Sequence, residues 1–381
     1  MTGIYRADHV GSLLRPEALK KARRSVDSGS LSAEDLRRLE DQEIMKVLEQ
    51  QQRIGVSAFT DGEFRRAGFQ NDIQNSVEGF IDIGVPAVVR IWHGPGGDPE
   101  EQGTRQVVGE RLQSKHRLTE SQTEFLKANA PGPIKITVPS PNQFRAICYQ
   151  DGLTDQFYQS RSDLLWELAG IIKAEIQALL VEGISYIQMD EPRYSYYVDP
   201  KWRDHLRALG QNVDEAFEEA MAADNACLSG TKKAGVTVAV HICRGNDQSK
   251  WYAEGGYGPI AEKLFSGLDV DRFLLEYDTD RAGTFDPLRF VPKSKTVVLG
   301  LVSSKVPTLE DQNELLRRID EASRFFPLEN MALSPQCGFA SMAAGNLLTE
   351  DEQWRKLEPV SYTHLRAHET DSYLVCRLLL E

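Results

Sequence analysis

His241 and Cys243 stand two residues apart at the end of the apolar run Val236-Thr-Val-Ala-Val-His-Ile-Cys243. Strand side chains alternate from face to face, so the two project to one side and could grip a metal ion from a rigid base. Taken alone, such a pair is more often a core histidine beside a buried thiol. Glu276 ends the run Asp271-Arg-Phe-Leu-Leu-Glu276, and Cys337 follows Met331-Ala-Leu-Ser-Pro335. One imidazole, two thiols and a carboxylate suit Zn2+, a borderline-soft ion that accepts mixed N, S and O donors. Each has a plainer role by itself: Cys337 as a small thiol beside Gly338, Glu276 as partner of Arg272 or Arg281, Asp190-Glu191 as a helix-start pair before Pro192. Their joint arrival at strand ends favours the metal.

The elements that must position them follow from hydrophobic period and punctuation. Outside one stretch, strand-like segments centre near residues 8, 57, 136, 187, 239, 274, 299 and 332, with helical patterns between them. Ser32-Ala-Glu-Asp35 starts a helix that Gly55 stops, and Ser162 to Glu182 carries Leu165, Leu168, Ile172, Ile176 and Leu179 on one face. Eight strands with intervening helices predict an α/β fold, a (β/α)8 TIM barrel. A doubly wound sheet is the rival, but no Gly-rich dinucleotide fingerprint follows the first strand. Between about 77 and 117 the pattern changes to short β-like runs separated by Gly and Pro, a β-rich insertion. A loop of 245–258, rich in Gly and Tyr, has the length of a part that covers a site.

In a barrel the carboxyl ends of the strands face one mouth, where barrel enzymes build their sites. The polar residues at those ends are Gly11 and Ser12, Glu63, Ser140, Asp190, His241 and Cys243, Glu276, Ser303 and Ser304, and Cys337.

Bulk properties bound the function. A chain of 381 residues with 41% hydrophobic content can bury a large core. A net charge of −13 argues against nucleic acid as the main partner. Lack of a long apolar run and of a signal-peptide core predicts no membrane association and a cytoplasmic location. Five scattered cysteines make no disulfide framework. The stretch Pro359-Val-Ser-Tyr-Thr-His-Leu-Arg-Ala-His-Glu-Thr370 resembles the in-frame translation of a sequencing adapter, and Leu374-Val-Cys-Arg-Leu-Leu-Leu-Glu381 the flow-cell end of the same design. Residues 1–358 are therefore expected to form a single zinc-dependent barrel, and 359–381 a non-native tail.

The segments His9-Val-Gly-Ser12, Asp61-Gly-Glu63, Asp190-Glu-Pro192, His241-Ile-Cys243, Glu276 and Pro335-Gln-Cys-Gly338 together resemble the catalytic domain of cobalamin-independent methionine synthase and its single-domain relatives. The resemblance spans Ala7 to Leu357. It implies a (β/α)8 barrel, Zn2+ on His241, Cys243, Glu276 and Cys337, and an amino-acid thiol such as homocysteine held by Gly11-Ser12, Glu63 and Asp190. The activity implied is methyl transfer to that thiol, giving methionine, with 5-methyltetrahydrofolate as the expected donor.

Those roles make chemical sense. A free thiol is only slightly ionised at neutral pH, whereas a zinc-bound one is deprotonated. Glu63 and Asp190 suit a substrate ammonium, and the backbone N–H groups of Gly11-Ser12 its carboxylate. One departure stands out: the full-length synthases carry a histidine after the strand corresponding to Val297–Val302, in the role of proton donor to the leaving pterin nitrogen. Here the stretch reads Leu301-Val-Ser-Ser-Lys-Val-Pro307, so Ser304, Lys305 or a water is expected to take that part, unless the donor is not methyltetrahydrofolate. The competing readings are alkyl transfer to another thiol, as in opening an epoxide, and a non-catalytic zinc-binding barrel.

Overall fold

The computed structural model describes residues 5–84, 89–95, 100–102 and 106–361. Six parallel strands run in chain order as one sheet: Lys135–Pro139, Tyr186–Asp190, Thr237–Ile242, Arg272–Glu276, Thr296–Val302 and Met331–Pro335. The two segments predicted near residues 8 and 57 close it. Ala7 bridges Leu333 in parallel, Phe59 bridges Ile134 in parallel, and the Ser57 N–H donates to the Ala7 carbonyl at 2.8 Å. These two staves are single bridges rather than ladders, but their order completes the eightfold barrel.

Alternation along each stave sorts its side chains between two apolar regions. Tyr5, Val10, Ala58, Tyr186, Ala239, Leu274, Val298 and Ala332 form a cluster of their own, drawn from seven staves, which fills the barrel interior. Their strand neighbours, such as Ile187, Val238, Val240, Leu275, Val297 and Leu333, join the larger core beneath the helices. The interior also holds a buried ionic network. Lys135 pairs with Asp8 at 2.8 Å with both side chains fully buried, and the Tyr186 hydroxyl donates to the other Asp8 oxygen at 2.6 Å. Two to four residues further along the same strands, this inward alternation delivers Asp190, His241 and Cys243, and Glu276 to the mouth.

The outer helices follow their sequence signals. The Ser32 hydroxyl caps Ala33–Ile54 by accepting from the Asp35 N–H, and Gly55 ends that helix in the left-handed conformation, φ 75°. Ser160 caps Arg161–Val181, which buries Leu165, Leu168, Ile172, Ile176 and Leu179 as its pattern predicts. No helix among the described residues is long and apolar enough to cross a membrane.

The insertion is β-rich as expected. Val77–Asp82 pairs antiparallel with Gln106–Ser114, and Val89–Ile91 with Glu100–Gln102. It folds back over the barrel mouth. The His93 N–H donates to the Trp251 carbonyl at 2.7 Å, and the Trp92 ring meets Tyr252 edge-on with centroids 5.1 Å apart.

The closing helix covers 350–361, so no break marks the expected boundary at 358. Val360 lies on the face of Gln353, Lys356 and Leu357 and is fully buried with them, which is why the helix runs a turn further. The rest of the expected tail, 362–381, lies outside the described residues.

Candidate active site

The strand register brings the predicted groups together. Asp190 pairs with His241 across adjacent strands, and Cys243 follows two residues on. Cys337 arrives from the last strand, past a register shift at Ser334/Pro335 that turns the chain into the mouth. The ligand atoms of His241, Cys243 and Cys337 lie within 4.8 Å of one another, and all three residues are buried. Neither ring nitrogen of His241 makes a hydrogen bond. A buried imidazole with both nitrogens unpartnered beside two sulfurs is costly unless something else binds it, so the donor set fits a thiophilic metal. The Cys337 thiol holds the Cys243 thiol well below its ordinary range against the effect of burial, the direction a metal-binding thiolate requires.

Glu276 is placed differently from its expected partners. It sits at the same mouth, fully buried, yet falls outside the three-residue group of ligand atoms. One oxygen accepts from Arg281 and the other from the Arg244 N–H at 2.8 Å. Burial would raise its pKa, but Arg281 and Lys305 outweigh that and keep it low.

A cavity of about 580 Å³ opens beside the cysteines, and Ser12, Glu63, Asp190, His241, Cys243 and Cys337 all line it. Glu63 takes a positive φ of 59°, a strained conformation for a residue with a Cβ and one that costs roughly 1–3 kcal/mol. Its backbone N–H is held by Asp61 at 2.9 Å, and Oε1 accepts from the Thr137 hydroxyl at 3.0 Å. Oε2 has no partner. Gly11 backs onto this carboxylate: at φ 135° an added Cβ would stand 3.4 Å from Oε1 and 3.0 Å from Thr137. On the opposite side, a Cβ on Gly338 would fall 1.9 Å from the Ser12 hydroxyl, so glycine there lets Ser12 approach the Cys337 turn. Asp190 accepts from Gln188 at 2.7 Å, and burial, with the Glu63 charge adding to it, pushes its pKa up to about 7 despite the opposing pull of His241. Two carboxylates in one buried cavity favour a cationic guest.

Ser304 and Lys305 do not line this cavity. The Ser304 hydroxyl donates to the Gly338 carbonyl at 3.0 Å. The Lys305 ammonium donates to the Gly245 carbonyl at 2.8 Å, the Asn246 side chain at 2.8 Å and the Lys250 carbonyl at 3.1 Å, which occupies all three of its protons. These contacts tie the loop after Cys243 to the strand end. Ser140 caps the helix Pro141–Cys148 and donates to Asp224 at 2.7 Å, and Ser303 accepts from the Lys305 N–H. The loop predicted to cover a site does so, with Asn246, Asp247, Gln248 and Tyr252 on the cavity wall.

Arg193, Gln143 and Trp92 also line the cavity, and sequence reasoning missed them. Arg193 directly follows Asp190-Glu-Pro192, which was the available signal. Trp92 is contributed by the insertion, whose return to the mouth no local pattern announces.

The profile described as the cobalamin-independent synthase, catalytic domain, matches residues 7–350. An uncharacterized Bacillus subtilis protein, YxjH, is 38% identical over 93% of each chain. A methionine synthase of Saccharolobus solfataricus is 24% identical, covering 91% of this chain and 95% of its own. Among solved structures, a candidate vitamin-B12-independent methionine synthase from Listeria monocytogenes superposes with a TM-score of 0.73 at 29% identity, covering 96% of this chain and 98% of that one.

Proposed function

This chain belongs to the family of the cobalamin-independent synthase catalytic domain, and from that premise we propose that it transfers a methyl group to the thiol of homocysteine, giving methionine, with Zn2+ as cofactor and 5-methyltetrahydrofolate as donor. The observation that carries this reading is the His241, Cys243 and Cys337 group, with both imidazole nitrogens unpartnered, opening on a cavity that also holds Glu63 and Asp190. His241, Cys243 and Cys337 would hold Zn2+, with Glu276 as fourth donor once it leaves Arg281; the bound ion supplies a substrate thiolate at neutral pH.

The remaining work falls to the protein's own groups. Glu63, with Oε2 unpartnered, and Asp190 receive the substrate ammonium, and this favours an amino-acid thiol over an uncharged one. Ser12, packed against Gly338, lies where the carboxylate of the same molecule would sit, near the backbone of Gly11-Ser12. In the reaction the sulfur forms a bond to the methyl carbon as the carbon–nitrogen bond of the donor breaks; the nitrogen keeps the electron pair and takes up a proton, which balances the one the thiol gave up on becoming a thiolate. Such a displacement needs the three atoms in line, so holding both molecules in one enclosed cavity lowers the barrier by positioning. Trp92 and the 245–258 loop roof the cavity and limit water.

X-ray absorption at the zinc edge, with and without homocysteine, tests the acceptor half. One additional sulfur neighbour is expected on adding the thiol, and an unchanged spectrum would sink the catalytic reading. Mass-detected methionine formation from 5-methyltetrahydrofolate tests the donor half.

A further inference from the structure

Arg193 is one of the largest fully buried side chains of the molecule, at 1% exposure, and the mechanism above gives it no task. Its guanidinium lies 5.0 Å from the Tyr196 ring centroid and 5.2 Å from that of Tyr252, a cradle that fixes its plane. Nε donates to the Gln143 side chain at 2.7 Å, and Nη1 to the Tyr196 hydroxyl at 2.5 Å. Nη2 is buried without a partner. Glu191, the nearest carboxylate in the chain, accepts from Asn142 instead.

The direction of the free nitrogen follows from the fork of the guanidinium. Nε and Nη2 share one edge of the plane, and a two-point acceptor meets that edge. Gln143, which takes the Nε half, lines the thiol cavity together with Cys243 and Arg193 itself. Tyr196, which takes Nη1, instead lines a neighbouring cavity of about 720 Å³ whose wall Arg193 also joins. Burial by itself would lower the Arg193 pKa, but Tyr196 and Tyr252, followed by Glu191, outweigh it and keep the guanidinium charged. A buried cation with one idle donor is expensive to keep, and a guest that supplies the acceptor removes the expense.

Both charged ends of the amino acid already have partners in the reading above, its ammonium at Glu63 and Asp190 and its carboxylate at Gly11-Ser12, so the guest of Arg193 is the other substrate. We propose that Arg193 is a donor-binding residue: its Nη2–H recognises a carboxylate or ring-amide carbonyl oxygen on the methyl donor and holds the methyl group toward the cysteine side of the cavity. The substrate class is then a methyl donor that carries a hydrogen-bond acceptor, and simple cationic donors are rejected. The aromatic wall of Trp92 and Tyr252 beside Arg193 suits a flat ring bearing that acceptor. This inference rests on the methyl-transfer reading above.

Steady-state kinetics of zinc-loaded wild type, Arg193→Lys and Arg193→Met test it, with homocysteine and either 5-methyltetrahydrofolate or trimethylsulfonium as donor. Losing one charge-assisted hydrogen bond predicts a rise in KM for the folate on the order of 10- to 100-fold in Arg193→Met, with a smaller rise in Arg193→Lys. Zinc content, the homocysteine-induced change at the zinc edge and KM for homocysteine should stay as in wild type. An unchanged folate KM in both variants overturns the assignment, as does a wild type that prefers trimethylsulfonium. A variant whose KM rises for homocysteine alone also overturns it, by placing Arg193 on the acceptor. Failure of the methyl-transfer reading itself shows separately, as a wild-type zinc edge indifferent to homocysteine.

Discussion

The Glu276 carboxylate lies 2.7 Å from the Arg281 guanidinium, and this expected fourth metal donor stands outside the group formed by His241, Cys243 and Cys337. Both partners are buried, Glu276 completely and Arg281 to 8% side-chain exposure, so the pair competes directly with coordination.

Arg281→Gln should therefore tighten zinc, because Glu276 loses its competing partner. The same change should weaken the zinc-free protein by about 3 kcal/mol, the usual cost of leaving one member of a buried pair alone. Chelator competition gives the first quantity and urea denaturation of the metal-free protein the second. Unchanged zinc affinity would show that Arg281 does not restrain Glu276.

Cys337→Ser should lose zinc and methyl transfer together, since it removes one of three converging donors. Asp190→Asn should keep stoichiometric zinc and raise KM for homocysteine by roughly tenfold or more, because an amide cannot answer the substrate ammonium. Metal analysis beside kinetics separates the two. Zinc-free Cys337→Ser with full activity would overturn the metal assignment.

Lys305→Met should untie the 245–250 loop. Its ammonium makes three hydrogen bonds to Gly245, Asn246 and Lys250, and the substitution strands all three acceptors. Faster hydrogen exchange across that loop is expected, with kcat down about tenfold from poorer closure and the pH profile keeping its shape. A profile that loses one ionisation would instead return Lys305 to proton transfer.

His9 provides a pH dependence of stability. Burial, with Lys135 nearby, pushes its pKa down to about 4 from an ordinary value of 6.5. The imidazole is neutral in folded and unfolded chains above pH 6.5, so there is no effect there. Below that pH the unfolded chain takes up a proton that the fold excludes, and stability falls until about pH 4, by about 3 kcal/mol in all. Urea midpoints between pH 4.5 and 7.5 should slope less steeply in His9→Gln than in wild type, and parallel slopes would remove His9 as the source.

Much of this architecture was legible in the chain because it rests on local periods. Alternation placed His241 and Cys243 on one face, capping by Ser32 and Gly55 bounded a helix, and the eight staves fall where apolar runs predicted them. Strand ends in a barrel share one mouth, so a list of polar residues at those ends already named Ser12, Glu63, Asp190 and the cysteines. Tertiary structure decided how each side chain is used, since that depends on groups far away in the chain. Ser304 and Lys305 spend their protons on a loop and a carbonyl that only folding brings near, Glu276 answers Arg281, and Val360 joins the buried face of the closing helix. The insertion closes over the cavity through Trp92 and Tyr252, residues 160 apart in the sequence. Arg193 shows the same limit most clearly: its type was visible beside Asp190-Glu-Pro192, but a free guanidinium nitrogen is a property of the packed cavity, where water no longer satisfies what the protein leaves unpaired.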